Sequence, residues 1–254
     1  MIGVYDYTVI LTFLSLLSAS TGIITTLSGS GHPYIGSFFL LFCGLCDAFD
    51  GKIARRKVDR TDISRRFGIQ IDSLSDLVAF GVLPACIGTA LIRVSPFMHR
   101  IQEAFGDKFI GSTVRYVLYA ILMFYVLAAM IRLAYYNVTE EDRQETETEV
   151  RRSYTGLPVT SASLIIPFAL LLNYIIPFDL TVVFIGIVML TAIAFISNFN
   201  IKKPGTRGIL IMVGIGLVEA IIMIIFAFFC AHAYNRSVHE TTLGQDIRHN
   251  DIKT

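Results

Sequence analysis

Long apolar stretches alternate with short polar ones along the chain. A membrane helix needs about 20 mostly apolar residues, and seven windows meet that requirement: 8–28, 33–50, 69–92, 113–136, 157–175, 178–198 and 208–233. Only a short turn with Pro177 and Asp179 separates the fifth window from the sixth, so a count of six or eight stays open. The pattern predicts an all-α, polytopic transmembrane helical bundle.

The composition agrees with a membrane protein. Of the 254 residues, 54% are hydrophobic and 16% are charged, which is unusual for a soluble domain. We find no long polar linker, so we predict one domain over residues 1–254. The net charge of +1 gives no field that would attract nucleic acid, and we expect no such partner. The N-terminus lacks the basic region and cleavage site of a signal peptide, so we expect the first helix to be retained.

Basic residues are divided unevenly between the two sets of loops. Thirteen fall on the loops around 52–66, 143–152 and 202–207, and seven fall on the opposite loops and the tail. Loops rich in Lys and Arg stay in the cytosol, so we place the first set and the N-terminus there. This predicts a multi-pass protein, surrounded by membrane lipids, whose 52–66 loop faces the cytoplasm.

Two pairs of aspartates border or enter apolar windows. Asp47 and Asp50 are three residues apart, and Asp72 and Asp76 are four apart. Each spacing puts both members of a pair on one face of a helix, and a short hairpin can bring the two faces together. Ionised Asp inside a span is costly, and crowding adds repulsion unless a cation neutralises it. Mg²⁺, Mn²⁺ or Ca²⁺ is the simplest partner, because carboxylates are hard ligands and the cluster contains no His to favour zinc.

Small and basic residues accompany the first pair. Gly51 and Ala54 allow close approach of a ligand, and Arg55 offers a forked cationic donor suited to phosphate. With metal, these parts can form a diphosphate site. The alternative is that the acids only cap helices or pair with neighbouring basic residues. Capping explains one acid at a helix start, but not two spaced pairs.

A CxxC motif, formed by Cys43 and Cys46, lies in the second apolar window. Such a motif can bind zinc or act in redox chemistry, but no second ligand pair completes a tetrahedral site. We therefore interpret both cysteines as small apolar residues of a helix.

The aspartates and their neighbours resemble the signature of the CDP-alcohol phosphatidyltransferases, D-x2-D-G-x2-A-R followed by G-x3-D-x3-D. Every fixed position is matched, by Asp47, Asp50, Gly51, Ala54, Arg55, Gly68, Asp72 and Asp76. One departure is the spacer between Arg55 and Gly68, which is twelve residues long and exceeds the family's usual length.

The resemblance implies a metal-dependent membrane transferase. The ligands of two Mg²⁺ or Mn²⁺ ions would be Asp47, Asp50, Asp72 and Asp76. The CDP part of CDP-diacylglycerol would be held by Gly51, Ala54, Arg55 and Gly68. Asp76 would also act as catalytic base, so that an alcohol attacks the lipid-side phosphorus and CMP leaves. Family members are commonly homodimers, which implies a homodimer here.

Further matches resemble the phosphatidylserine synthase branch of the family. Residues 72–85 read D-S-L-S-D-L-V-A-F-G-V-L-P-A, residues 132–137 read R-L-A-Y-Y-N, and residues 156–158 read G-L-P. Ser15 and Ser18 stand where that branch has Thr and Asn as nucleotide contacts. The resemblance implies L-serine as the acceptor. Its pocket would include Arg132 and Asn137.

Other interpretations stay open. The acids do not distinguish alcohols, so inositol, inositol phosphate or glycerol phosphate could be the acceptor, or an archaetidyl lipid the donor. Arg132 could recognise a carboxylate or phosphate, or could snorkel to the cytosolic headgroups. A membrane cation transporter would also use intramembrane acids, although it predicts acids near the midplane and an inverted repeat that we do not find. A purely structural role would leave the acids without a purpose.

Overall fold

A computed structural model describes residues 7–28, 32–54, 61–105, 110–146, 153–176, 178–202, 205–226 and 228. Within these ranges the α-helices are α1 (Ile10–Leu27), α2 (Pro33–Ala54), α3 (Asp62–Asp76), α4 (Leu83–Val94), α5 (Pro96–Phe105), α6 (Ile110–Thr146), α7 (Ala162–Ile175), α8 (Thr181–Ile196) and α9 (Thr206–Phe226). The shorter elements are the 3₁₀ turns Tyr7–Val9 and Val159–Ser161, the π-helical turn Leu77–Val82, and the strands β1 (Ser153–Thr155) and β2 (Asn200–Lys202). The all-α fold class is confirmed.

Five helical stretches of the described chain are long and apolar enough to cross a membrane: Tyr7–Leu27, Pro33–Asp50, Asp62–Val94, Gly111–Asp142 and Thr206–Phe226. Helices α7 and α8 are apolar but shorter, at 14 and 16 residues. They occupy the predicted fifth and sixth windows. Each predicted window therefore carries a helix, and the polytopic helical bundle is confirmed.

Two helices extend beyond their apolar windows. Thr61 has extended backbone angles, and its side chain caps α3 by accepting a hydrogen bond from the Ser64 N–H at 3.2 Å. Asp62 adds a favourable negative charge to the first turn, so α3 starts there and not at residue 69. At its C-terminal end, α6 continues to Thr146, because Glu and Arg are good helix formers outside the membrane as well.

Small residues set the closest helix contacts. A Cβ atom at Gly22 of α1 would lie 2.8 Å from the Cβ of Phe39 in α2, and a Cβ at Gly44 of α2 would overlap Ser163 in α7. Close backbone approach of this kind is a main source of helix association in membranes. It holds α2 tightly between α1 and α7.

The two strands join loops that are far apart in sequence. β1 pairs antiparallel with β2. Gly156 follows β1 with a φ of +75°, and its N–H donates to the Phe199 carbonyl at 2.6 Å. We call this paired segment, residues 153–157 with 197–202, the clip. The clip ties the chain that enters α7 to the chain that leaves α8.

At the opposite end of the bundle, one carboxylate joins three helices. Asp179 accepts hydrogen bonds from the Ser95 hydroxyl at 2.7 Å, from the Phe97 N–H at 2.6 Å, and from the N–H and hydroxyl of Thr181 at 2.9 and 2.6 Å. Partial burial alone would raise the pKa of Asp179, but these hydrogen bonds outweigh it and lower the pKa below its usual value. Asp179 thus caps the starts of α5 and α8 and ties them to the end of α4.

Residue contacts divide the chain into two compact units, residues 1–216 and the residues from Leu217 onwards. The first unit contains all the candidate site residues. Of the second, the structure describes the last turns of α9 and residue 228. The prediction of a single domain over residues 1–254 stays a prediction.

Candidate active site

The four aspartates lie near the ends of two helices. Asp47 and Asp50 are in the last turns of α2, and Asp72 and Asp76 are in the last turns of α3. The Asp72 carboxyl lies within hydrogen-bonding reach of Asp50, and Asp76 lies close enough to the other three carboxyls to interact with each of them electrostatically. Asp50 and Asp76 are only 9% and 8% exposed. The structure therefore brings the two predicted pairs together in one largely buried cluster.

The donor set of this cluster suits a divalent cation. Crowded carboxylates repel one another unless positive charge lies between them, and their hard oxygen atoms suit Mg²⁺ or Mn²⁺. Among the residues that the structure describes, no three acidic, His or Cys side chains already converge closely enough to hold an ion. The metal roles of Asp47, Asp50, Asp72 and Asp76 therefore stay predictions.

The remaining signature residues flank the cluster. Gly51 and Ala54 belong to the last turn of α2, and Gly68 lies on α3 one turn before Asp72. Arg55 lies outside the described residues. The predicted contacts of these residues with the CDP group stay predictions.

The serines of α1 lie in the contact with α2. Ser15 and Ser18 are 3% and 8% exposed. The Ser18 hydroxyl donates to the Phe39 carbonyl at 3.1 Å, and the Ser15 carbonyl accepts from the Cys43 thiol at 3.3 Å. These bonds join the two helices, and the nucleotide contacts predicted for the serines stay predictions. Cys43 and Cys46 are free and buried in α2, which agrees with their interpretation as apolar helix residues.

Two serines that the sequence pattern did not reveal fix the helix that carries the second acid pair. Ser75, next to the fourth acid, donates its hydroxyl proton to the Thr12 carbonyl of α1 at 3.1 Å. Ser73, next to the third acid, accepts a hydrogen bond from the Asn137 amide of α6 at 2.7 Å. The second bond places Asn137 beside the acid cluster. Asn137 is one of the residues predicted to line the pocket for the acceptor alcohol. A polar residue inside an apolar window is the sequence signal for a hydrogen bond between helices.

Arg132 lies within α6 and is only 6% exposed. Its Nε donates to the Leu157 carbonyl at 3.2 Å, and its guanidinium carbon lies 5.5 Å from the centre of the Tyr136 ring. The side chain is therefore held against the protein, and the snorkelling interpretation stays untested. Because Leu157 belongs to the clip, the clip also holds the arginine. Recognition of a carboxylate or phosphate by Arg132 stays a prediction.

Comparisons with known proteins give the family of the chain. The family model described as CDP-alcohol phosphatidyltransferase matches residues 7–196. A CDP-diacylglycerol–serine O-phosphatidyltransferase of Helicobacter pylori strain J99 is 27% identical over 201 residues, which are 75% of this chain and 73% of the relative. A protein of the same name from Saccharomyces cerevisiae is 32% identical over 147 residues, covering 57% of this chain and 45% of the relative.

An archaetidylserine synthase of Methanothermobacter thermautotrophicus is 32% identical over 154 residues, which are 60% of this chain and 54% of the relative. The family match spans most of the chain and includes all four aspartates. It confirms the resemblance that the signature residues indicate. The chain belongs to the CDP-alcohol phosphatidyltransferase family, and it is a membrane-embedded transferase of that family.

Proposed function

We propose that this enzyme transfers the phosphatidyl group of CDP-diacylglycerol to L-serine, which yields phosphatidylserine and CMP. The observation that carries the proposal is the meeting of Asp47, Asp50, Asp72 and Asp76 where α2 and α3 end. Two relatives are named for the serine reaction. The run of residues 72–85 also resembles the serine branch.

All four acids share one task in the proposed mechanism, and Asp76 has a second. The residues that would hold two Mg²⁺ or Mn²⁺ ions are Asp47, Asp50, Asp72 and Asp76. Bound metal would neutralise the diphosphate and make its phosphorus more electrophilic. Asp76 would accept the proton of the serine hydroxyl. The serine oxygen then bonds to the lipid-side phosphorus, the bond from that phosphorus to the bridging oxygen breaks, and CMP leaves with that oxygen.

Burial of the base favours transfer over hydrolysis. Asp76 is 8% exposed, so water reaches it poorly and competes weakly with the acceptor hydroxyl. Its neighbour Ser75 fixes this part of α3 to α1. The proton acceptor is thereby held in one place while the alcohol approaches.

Arg132 and Asn137 are the residues that we propose bind the acceptor, L-serine. Ser73 holds the Asn137 amide beside the acids, and Arg132 adds a buried positive charge five residues earlier on the same helix. A charge-assisted hydrogen bond to the serine carboxylate is strong where water is excluded. An acceptor with a carboxylate gains from this arginine, whereas inositol does not.

CMP release by the purified protein tests the proposal. The assay uses Mg²⁺ or Mn²⁺ with serine, inositol, inositol phosphate or glycerol phosphate, and Asp76→Asn serves as the catalytic control. Serine-dependent release that disappears in the variant supports the proposal. Release with another alcohol keeps the mechanism and changes the acceptor. Metal binding without CMP release would contradict the proposal and favour a cation transporter.

The archaeal relative makes an archaetidyl lipid the second candidate donor. The same assay with CDP-archaeol in place of CDP-diacylglycerol distinguishes the two lipids. A higher kcat/KM for CDP-archaeol, with archaetidylserine identified by mass spectrometry, would show that the archaetidyl lipid is the preferred donor. L-serine would remain the acceptor.

We also propose an orientation of the enzyme in the membrane and an oligomeric state. The active site would face the cytoplasm, because the loops beside it carry most of the basic residues. An impermeant maleimide should therefore label Asp59→Cys, in a cysteine-free background, only from the cytosolic side. We also propose that the protein is a homodimer within membrane lipids. Light scattering of the detergent-solubilised protein tests this by measuring the molar mass of the protein.

A further inference from the structure

Tyr125 carries a polar group that the transfer mechanism does not use. The side chain is fully buried in the middle of α6, and its ring packs against Phe195 with centroids 5.5 Å apart. Its hydroxyl donates to the Phe80 carbonyl at 2.7 Å. This bond joins α6 to the helical stretch that carries Asp72 and Asp76.

The local sequence removes the usual helical donor to the Phe80 carbonyl. In an α-helix it would accept from the N–H four residues ahead, but that residue is Pro84, which has no N–H. The proline ring also crowds the carbonyl four residues before it. Losing a donor is costly for a buried carbonyl, and the Tyr125 hydroxyl supplies one from another helix.

The same proline accompanies a change of helical register. Residues Leu77–Val82 form a π-helical turn, in which the Leu83 N–H donates to the carbonyl of Val78, five residues back. The turn begins directly after Asp76. Gly81, within it, lies against α6, where a Cβ would come to 3.4 Å from the Cβ of Ala129.

Register in this turn decides where the acids point. One residue of an α-helix corresponds to a rotation of roughly 100°. A change from π to α register in 77–82 would therefore rotate α3 relative to α4. Asp72 and Asp76 lie on α3, and that rotation would turn them away from Asp47 and Asp50.

We infer that Tyr125 is a positioning residue for the transfer reaction. By donating to the Phe80 carbonyl it stabilises the π-helical turn, and the turn directs Asp72 and Asp76 towards the acids of α2. Its catalytic part rests on the proposed function, because it assumes that the four acids act together on metal and diphosphate. Tyr125 touches neither substrate nor metal in this arrangement.

Tyr125→Phe tests the inference, because it removes the hydroxyl and keeps the ring. Tyr119→Phe is the matched control, since Tyr119 is a partly buried phenol on the same helix. We expect Tyr125→Phe to lower kcat about tenfold and to raise severalfold the Mg²⁺ concentration that gives half the maximal rate. Tyr119→Phe should change neither. A merely structural role would reduce the amount of active enzyme without changing its metal dependence.

Pro84→Ala provides a second test that needs no activity. Alanine restores at residue 84 an N–H that can donate to the Phe80 carbonyl, so Tyr125→Phe should lower the Tm much less in the Pro84→Ala background than in the wild type. Equal losses of Tm in both backgrounds, or a Tyr125→Phe enzyme with wild-type kcat and metal dependence, would overturn the inference. A wild type that releases no CMP would overturn the proposed function and the catalytic part of the inference, while the Tm comparison would still decide whether the Tyr125–Phe80 bond supports the turn.

Discussion

Replacing Gly156 with alanine tests whether the clip holds Arg132, the arginine that we propose binds the serine carboxylate. The φ of +75° at Gly156 costs a residue with a side chain about 1–2 kcal/mol. The new Cβ would lie 2.9 Å from the Ser197 carbonyl oxygen and 3.0 Å from that of Phe195. The turn must therefore move, which weakens the hydrogen bond to Phe199, worth about 0.5–1.5 kcal/mol. Together these effects should destabilise the clip locally by about 2–3 kcal/mol.

The loss should appear in acceptor binding, because the next residue, Leu157, accepts the Arg132 hydrogen bond. We expect Gly156→Ala to raise the KM for serine about tenfold, equivalent to about 1.4 kcal/mol, with the KM for CDP-diacylglycerol nearly unchanged. The Tm in detergent should also fall. Gly186→Ala in α8 is the matched control, since its Cβ would meet nothing within 4 Å and alanine suits a helix interior. A Gly156→Ala enzyme with wild-type serine KM and Tm would refute the reasoning.

Three further outcomes are expected. Asp76→Asn should lower kcat for CMP release at least about a hundredfold, the usual share of a general base, without lowering the Tm, because it relieves repulsion among the acids; a residual rate near wild type would exclude Asp76 as the base. Ser73→Ala and Asn137→Ala should each lower kcat/KM for serine severalfold, and the double variant should lose little more; additive losses would show that they do not act through their shared hydrogen bond. Folding lowers the pKa of Asp179, so its stabilisation is complete above the unfolded pKa of about 3.9 and disappears as the pH falls through the folded pKa. Asp179→Asn should therefore lower the Tm more at neutral pH than at pH of about 3, and equal losses at both would contradict this assignment.

The helices and the acid cluster could be predicted because their signals are local. The length and hydropathy of a span depend on consecutive residues, and all seven windows carry helices. The three-residue and four-residue spacings of the aspartates determine a helix face wherever the helix lies. The start of α3 was missed because Thr61 caps it in a polar segment, where hydropathy gives no signal.

The partners of the site residues could not be predicted because they come from distant parts of the chain. Tyr125 and Phe80 are 45 positions apart, and Asn137 and Ser73 are 64 apart. The strands of the clip have three residues each, too few to show an alternating pattern. Arg132 donates to Leu157 of that clip, so the sequence could not show this contact.

The hydrogen bond between Asn137 and Ser73 connects the binding of the acceptor with the binding of the metal ion. The amide that would meet the serine acceptor is tied, at 2.7 Å, to the residue adjoining Asp72, a proposed ligand of the ion. A shift of Asn137 towards an acceptor would either break this hydrogen bond or move the residue next to that ligand. Occupancy of the acceptor pocket and affinity for the ion would then be thermodynamically linked: whatever factor serine applies to ion binding, the ion must apply to serine binding.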